Sequence, residues 1–420
     1  MAELAVNDNA TTDNARWNFG VSIWDVTFIM LGISIVSRET VMPVLVAQLT
    51  SSKLALGLIP AIFSLGGYLP QLLFANFTER LRYKKPFTMW VGGLGERGPY
   101  LLMALTIWWL AGSAPALALV VFFCCLAATA TALGAATPAW FDMIAKVIPV
   151  QRRGLYAGLG HGLGALMGVV GAYFVGRILA TVAFPNNFAL LFGLAFAIMA
   201  ISWLGLALTR EPPSAMIKEQ MPLTRYLRQL PAILRRDRNY QRFLICRTII
   251  QMGTMAGGFF MVYGIERFQI DGAGVGLLTA VLVAGQAVMG LIWGVLADRF
   301  GHKRVLATAA FALALAALAA WMADSQTWLV VTFALLGAYM AADTASGLNI
   351  ILEFCAPEDR PTYIGLTNTL LAPVLTLAPL LGGWLAMTVG YPGLFMTALL
   401  FASLGGLLMA FWVREPRFNG

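Results

Sequence analysis

Trp293 to Arg304, WGVLADRFGHKR, is a charged tract set between two long apolar runs. Gly294 and Gly301 permit close backbone approach and an unusual φ, while Asp298 stands one acid against Arg299, His302, Lys303 and Arg304. These residue types specify an apolar helix, a sharp polar turn and a second apolar helix. What surrounds the tract decides whether that helix pair lies in a membrane.

Of 420 residues, 59% are hydrophobic and 11% charged, which is too apolar for an ordinary soluble protein and implies a polytopic membrane protein. The net charge of +8 does not point to nucleic acid, because the basic residues sit in short tracts between apolar runs, as in loops beside a membrane. Cys124, Cys125, Cys246 and Cys355 show no metal-ligand spacing and imply no disulfide framework. Residues 1–18 are polar and lack a basic start with a short apolar core. They read as a disordered cytoplasmic tail rather than a cleavable signal.

A crossing helix needs about 20 predominantly apolar residues. Twelve runs qualify, at 20–48, 54–76, 86–111, 115–139, 155–180, 187–208, 242–264, 274–297, 304–323, 327–352, 363–388 and 391–412. An even number places both termini on one side. Of the 28 Lys and Arg, only Lys53 and Arg267 fall in loops of the opposite side; Arg38, Arg97, Arg177 and Arg247 lie within spans, and the rest share the side of the termini. That side is therefore expected to be cytoplasmic.

The layout divides into a tail at 1–19, six spans over 20–208, a linker at 209–241, six spans over 242–412 and a tail at 413–420. In the linker, Leu223, Tyr226, Leu227, Leu230, Ile233 and Leu234 recur at helical spacing with arginines largely elsewhere. The segment reads as an amphipathic helix on an anionic leaflet or, given Pro231, as a solvated charged linker.

The halves repeat one another in their loops. Thr209-Arg210-Glu211-Pro212 closes the first six spans and Val413-Arg414-Glu415-Pro416 the second. The stretch from Pro149 through Arg152 and Arg153 to Gly158 matches Pro357 to Gly365, and Glu79-Arg80 to Lys84-Lys85 echoes Asp298-Arg299 to Lys303-Arg304. Two six-span repeats around a midplane site are a recurring plan of secondary transporters. The tract at 293–304 resembles the loop signature G-x-L-A-D-R-x-G-R-K of the major facilitator superfamily, with His302 in the second-last place. The counterpart at Glu79 lacks both glycines and carries Glu for Asp.

That resemblance implies an all-α protein of 12 transmembrane helices in two pseudo-symmetric six-helix bundles, with spans 1, 4, 7 and 10 lining a central cavity. A charge inside the hydrocarbon costs at least a few kcal/mol unless paired or hydrated, so intramembrane charges mark where mechanism resides. They are Asp25, Arg38, Glu39, Glu96, Arg97, Arg247 and Asp343. In the implied arrangement Asp25, Arg38 or Glu39 faces Arg247 or Asp343 across the halves. Neighbouring Arg38 and Glu39 point about 100° apart and should each find a partner elsewhere. One reading makes Glu39, Asp25 or Asp343 a proton-binding carboxylate; the other makes these groups fixed ion pairs, with Glu96 and Arg97 tied to the span 1 charges.

The repeated loops form the candidate cytoplasmic gate: Gly294, Asp298, Arg299, Gly301, Lys303 and Arg304, with Glu79, Arg80, Arg152 and Arg153. By pseudo-symmetry Asp298 should meet the start of span 5 beside Arg152 and Arg153 in the outward-open state and part from it in the inward-open state. The alternative is a tract that only fixes topology. His161 sits in a glycine ladder from Gly158 to Gly171 as a relay or a packing residue. No P-loop, metal pattern or nucleophile arrangement appears, so an enzyme, a metal site or a cofactor has no positive support. The expected function is proton-coupled secondary transport, including efflux, of a small organic or amphiphilic solute by a monomer among membrane lipids of the cell membrane. The alternatives are a lipid or lysolipid flippase and a non-transporting assembly factor or receptor.

Overall fold

The apolar runs fold as helices because a chain surrounded by lipid must satisfy every backbone N–H and C=O within itself. The computed structural model describes residues 2–78, 80–149, 152–214, 237–355 and 360–416, among which there is no strand. The first span is α1 (Ala2–Ile35) with α2 (Val41–Leu49), and the second is α3 (Lys53–Thr78). The third runs through α4 (Lys85–Phe87), a π-helical segment (Thr88–Gly95) and α5 (Glu96–Leu110). Then follow α6 (Pro115–Val147), α7 (Arg153–Thr181) and α8 (Asn186–Leu208).

After the linker come α9 (Arg238–Gly253), a 3-10 turn (Thr254–Ala256), α10 (Gly257–Phe268), α11 (Gly272–Phe300), α12 (His302–Trp321), α13 (Gln326–Ser346), α14 (Asn349–Glu353), α15 (Arg360–Thr388) and α16 (Gly390–Phe411). Eleven of the twelve spans are long and apolar enough to cross a membrane as they stand, and the third has its α-helix interrupted by the π segment. The linker reading at Leu223 to Leu234 and the gate residue Glu79 lie outside the described residues. α1 runs on from Ala2 through the segment read as a tail.

Four spans expected to be continuous are interrupted, the tenth at Gly347-Leu348 between α13 and α14. In the first, residues 36–40 leave the helix: the Ser37 hydroxyl accepts the Glu39 N–H at 3.3 Å, a local bond that competes with the helical ladder. In the seventh, the Thr254 hydroxyl donates to the Gln251 carbonyl at 2.8 Å as the helix tightens into its 3-10 turn. In the third, the glycine-rich TMWVGGLG winds as a π-helix, and Arg97 Nη1 donates to the Gly92 carbonyl at 2.6 Å.

The halves meet chiefly through two helix pairs, α7 with α11 and α3 with α15, with smaller contacts of α2 and α3 on α10. We call the face bearing residues near 18, 210, 239 and 414 the tail end, and the opposite face the far end. The cross-half contacts lie toward the far end. Gly176 of α7 and Gly276 of α11 cross so closely that a Cβ on either would overlap the other backbone, and Gly57 of α3 abuts the Pro379 carbonyl of α15 in the same way. Thr279 donates to Thr40 at 2.8 Å in a buried bond, and Lys53 lies 3.6 Å from Glu266 and over the Tyr391 ring. Toward the tail end the same helices diverge. Among the described residues, nothing lies within 4 Å of where a side chain would project from Gly154, Gly158 and Gly162 of α7 or Gly290 and Gly294 of α11. Among the described residues the bundle is closed at the far end and parted at the tail end.

Candidate functional site

The seven intramembrane charges resolve into three groups. Asp25 of α1 does not reach across the halves. Its Oδ1 takes Arg97 Nη2 at 3.3 Å and the Ser202 hydroxyl of α8 at 2.6 Å, and the Trp140 side chain of α6 hydrogen-bonds it as well. Arg97 spends every donor: Nε on the Met199 carbonyl at 3.2 Å, Nη1 on the Gly92 carbonyl and on Glu96 at 3.5 Å, and Nη2 on Asp25 and on Ser202 at 3.0 Å. Five N–H groups meet five acceptors. The cluster ties α1, α5 and α8 into one body within the first half.

The second group is in the other half. Arg247 of α9 holds Asp343 of α13 as a contact ion pair, Nη2 to Oδ1 at 2.6 Å, and the Tyr339 hydroxyl of α13 donates to Gln251 of α9 at 2.9 Å. Here the guanidinium is not saturated. Arg247 is 5% exposed, yet its Nε and Nη1 are buried without a hydrogen-bond partner. The Asp343 side chain retains 35% of its exposure.

The third group occupies the break in the first span. Arg38 sits over the Phe63 ring of α3, its Cζ 3.8 Å from the ring centroid, and among the described residues no carboxylate lies within 4 Å of its nitrogens. The Glu39 carboxylate rests against Gly257, the first residue of α10, so the interruptions of spans 1 and 7 face one another across the halves. Tyr68 of α3 is in electrostatic range of Arg38, Arg247 and Asp343. Its one sequence signal is a lone phenol after Gly66-Gly67 inside an apolar run, and sequence reasoning missed it, as it missed Ser202.

The expected pairing of Asp25, Arg38 or Glu39 with Arg247 or Asp343 is therefore corrected. Each arginine with an acid partner has found it inside its own half. Glu39 is the intramembrane acid that touches the opposite half. His161 is exposed on α7.

At the tail end the repeated loops prove to be each other's partners. Glu211 accepts the backbone N–H of Lys84 and of Lys85, each at 2.8 Å, and Glu415 receives those of Lys303 and Arg304. Lys85 Nζ donates to the Ala207 carbonyl at 2.5 Å, and Lys303 Nζ to the Ala410 carbonyl at 2.7 Å. Asn18 brackets the Arg210 backbone with bonds of 2.9 and 2.8 Å; Asn239 brackets Arg414 with two of 2.9 Å. Gly301, at φ 89°, is required twice over, since a Cβ there would also strike the Glu415 carboxylate.

The remaining gate candidates are surface groups. Asp298, Arg299, Arg80 and Arg152 are exposed, and Arg153 turns back onto the Ile148 and Ala145 carbonyls at 3.3 and 2.7 Å.

The family model of the Major Facilitator Superfamily matches residues 243–420. The whole chain superposes on solved structures of that type: a D-xylose-proton symporter at a TM-score of 0.67 and 12% identity, covering 97% of this chain and 98% of that one, and the nucleoside transporter NupG at 0.65 and 13%, covering 95% and 98%. The second half of the chain is thus similar to the Major Facilitator Superfamily, and the chain as a whole shares the fold of these two structures. At these identities the two structures speak for the fold alone. A curated relative, the cis,cis-muconate transport protein of Acinetobacter baylyi, is 29% identical over 154 residues. That stretch is 36% of this chain and about a third, 36%, of the relative.

Proposed function

We propose that this protein is a secondary active transporter that moves a small organic solute across the cell membrane by alternating access, with protons as the coupling ion. The observation that carries the reading is the meeting of two interrupted helices, α1–α2 and α9–α10, at Glu39 and Gly257, in a bundle shut at the far end and parted at the tail end. Interrupted helices expose backbone dipoles and charges where a solute can reach them, and a closed-and-parted bundle is one half of a rocking cycle. The relative's name, a muconate transport protein, supports a small organic cargo. With its Lys and Arg concentrated there, the tail end is cytoplasmic.

Two acids serve proton coupling on this reading. Glu39 has no cation within 4 Å among the described residues and touches the opposite half, while half-exposed Asp343 holds Arg247. Asp25 and Glu96 belong to the saturated Arg97 cluster and act as structure. Purified protein in proteoliposomes with an imposed pH gradient, offered a broad library of organic solutes, tests the proposal. Accumulation that collapses with a protonophore supports it, and accumulation equal to that of protein-free vesicles for every solute refutes it.

A further inference from the structure

The break of the tenth span at Gly347-Leu348 has a side chain that touches both of its sides. His302, the first residue of α12, holds Nδ1 3.0 Å from the hydroxyl of Ser346, the last residue of α13, and Nε2 3.9 Å from Oε1 of Glu353, the last residue of α14. The two titratable side chains are largely buried, His302 at 13% exposure and Glu353 at 19%. Among the described residues the other charged groups about the imidazole have other partners or face solvent. Lys303 reaches the Ala410 carbonyl, Arg299 and Arg304 lie over the Phe300 ring, Glu415 takes the N–H groups of Lys303 and Arg304, and Asp298 is exposed at the end of α11. Glu353 is the described carboxylate within 4 Å of the ring.

The first half provides an internal control. In the repeated loop the position of His302 is taken by Tyr83, which is exposed, and the helix matching the tenth span, α6, runs without a break from Pro115 to Val147. A titratable ring and a broken helix thus occur together in the second half and are both missing from their matching places in the first. The break also adjoins the interior ion pair. The Gly347 N–H donates to the Asp343 carbonyl at 2.8 Å, and a Cβ on Gly347 would stand 3.3 Å from Arg247 Nη2.

We propose that His302 is a proton-operated clasp across the break of the tenth span, through which the pH on the tail-end side sets how firmly α14 is held to α12 and α13. A neutral imidazole has one N–H and can donate to only one of the two oxygens that flank it. The imidazolium donates from both nitrogens and adds the attraction of its charge for the Glu353 carboxylate. The hold on α14 is therefore greatest below the titration of His302 and is lost as pH rises through it. An arginine, the residue that the loop signature carries at this place, would stay charged throughout and could not switch. The clasp acts on the protein at rest and stands apart from the transport reading.

Hydrogen exchange of the full chain in detergent, corrected for intrinsic rates and compared between about pH 5.5 and about pH 8, tests the clasp. Peptides covering residues 347–355 are read against peptides from the end of α6. Their relative protection should fall about threefold or more as pH rises, the worth of a partly screened ion pair. His302→Gln and Glu353→Gln should each give a low protection that no longer varies with pH, and His302→Arg a higher one that does not vary either. A wild-type ratio that is constant with pH overturns the proposal, as does a fall that persists in Glu353→Gln or in a folded His302→Gln protein.

Discussion

Arg97 and Arg247 are both buried arginines paired with an aspartate, one in each half, yet they are built to opposite ends. Arg97 meets five acceptors drawn from α1, α5, α8 and the π segment. Arg247 meets one carboxylate and keeps two nitrogens bare. The difference separates charge used as mortar from charge used as a site. A saturated cluster gains nothing from a ligand, whereas an unsaturated one holds free energy that a ligand can release.

The comparison breaks most readily at Asp25. Asp25→Ala strands the Arg97 charge among apolar side chains, a loss of about 3–5 kcal/mol where a buried pair is broken. Folded yield and unfolding temperature in detergent should drop sharply; an unchanged unfolding temperature would mean that the cluster is not mortar. Asp343→Asn is the counterpart. Because asparagine keeps an acceptor for Arg247 while removing the charge, it should cost less stability than Asp25→Ala, together with an about tenfold or greater loss of proton-driven accumulation, while solute exchange without a gradient continues. An Asp343→Asn protein that pumps normally would move the coupling proton elsewhere, Glu39 being the next to test.

Smaller effects sharpen the picture at the tail end. Asp298→Asn should favour the form parted at the tail end by about 1 kcal/mol, read as several-fold faster labelling of a cysteine placed at Gly158. Unchanged labelling there would assign the tract to topology alone. Glu211→Gln removes a charged cap from the start of the third span and should cost about 1 kcal/mol. Partial burial beside Gly301 pushes the Glu415 carboxyl above its usual value, the Lys303 and Arg304 groups opposing that shift. Its folded form thus holds the proton more tightly than the unfolded chain. That contribution to stability is present below the unfolded value and is lost as pH rises through the folded one, and Glu415→Gln should flatten this part of the pH profile.

The twelve spans and the doubling were legible in the sequence, because lipid forces long apolar runs and a duplicated chain keeps its loop residues. The repeated Arg-Glu-Pro and the repeated Lys-Lys or Lys-Arg were both visible. That the acid of one caps the helix begun by the other was not, since nothing in a linear pattern says which loops touch. The breaks at 36–40, 254–256 and 88–95 escaped as well. They depend on a serine or threonine hydroxyl winning a backbone group, or on glycines yielding to Trp203, and those are tertiary choices. Asp25 was legible as a charge in the hydrocarbon, but its partner was decided by Ser202 and Met199 on a helix nearly 180 residues away.

The tail-end knot tied by Asn18, Arg210, Glu211 and Lys85, and again by Asn239, Arg414, Glu415 and Lys303, gives each half a load path. It fastens the entering helix, the turn before the third helix and the end of the last helix to one another. A push delivered to any one of these loops is carried by three helices at once. Each half then has a handle braced at three helices, on the side of the bundle away from the crossing of Gly176 and Gly276.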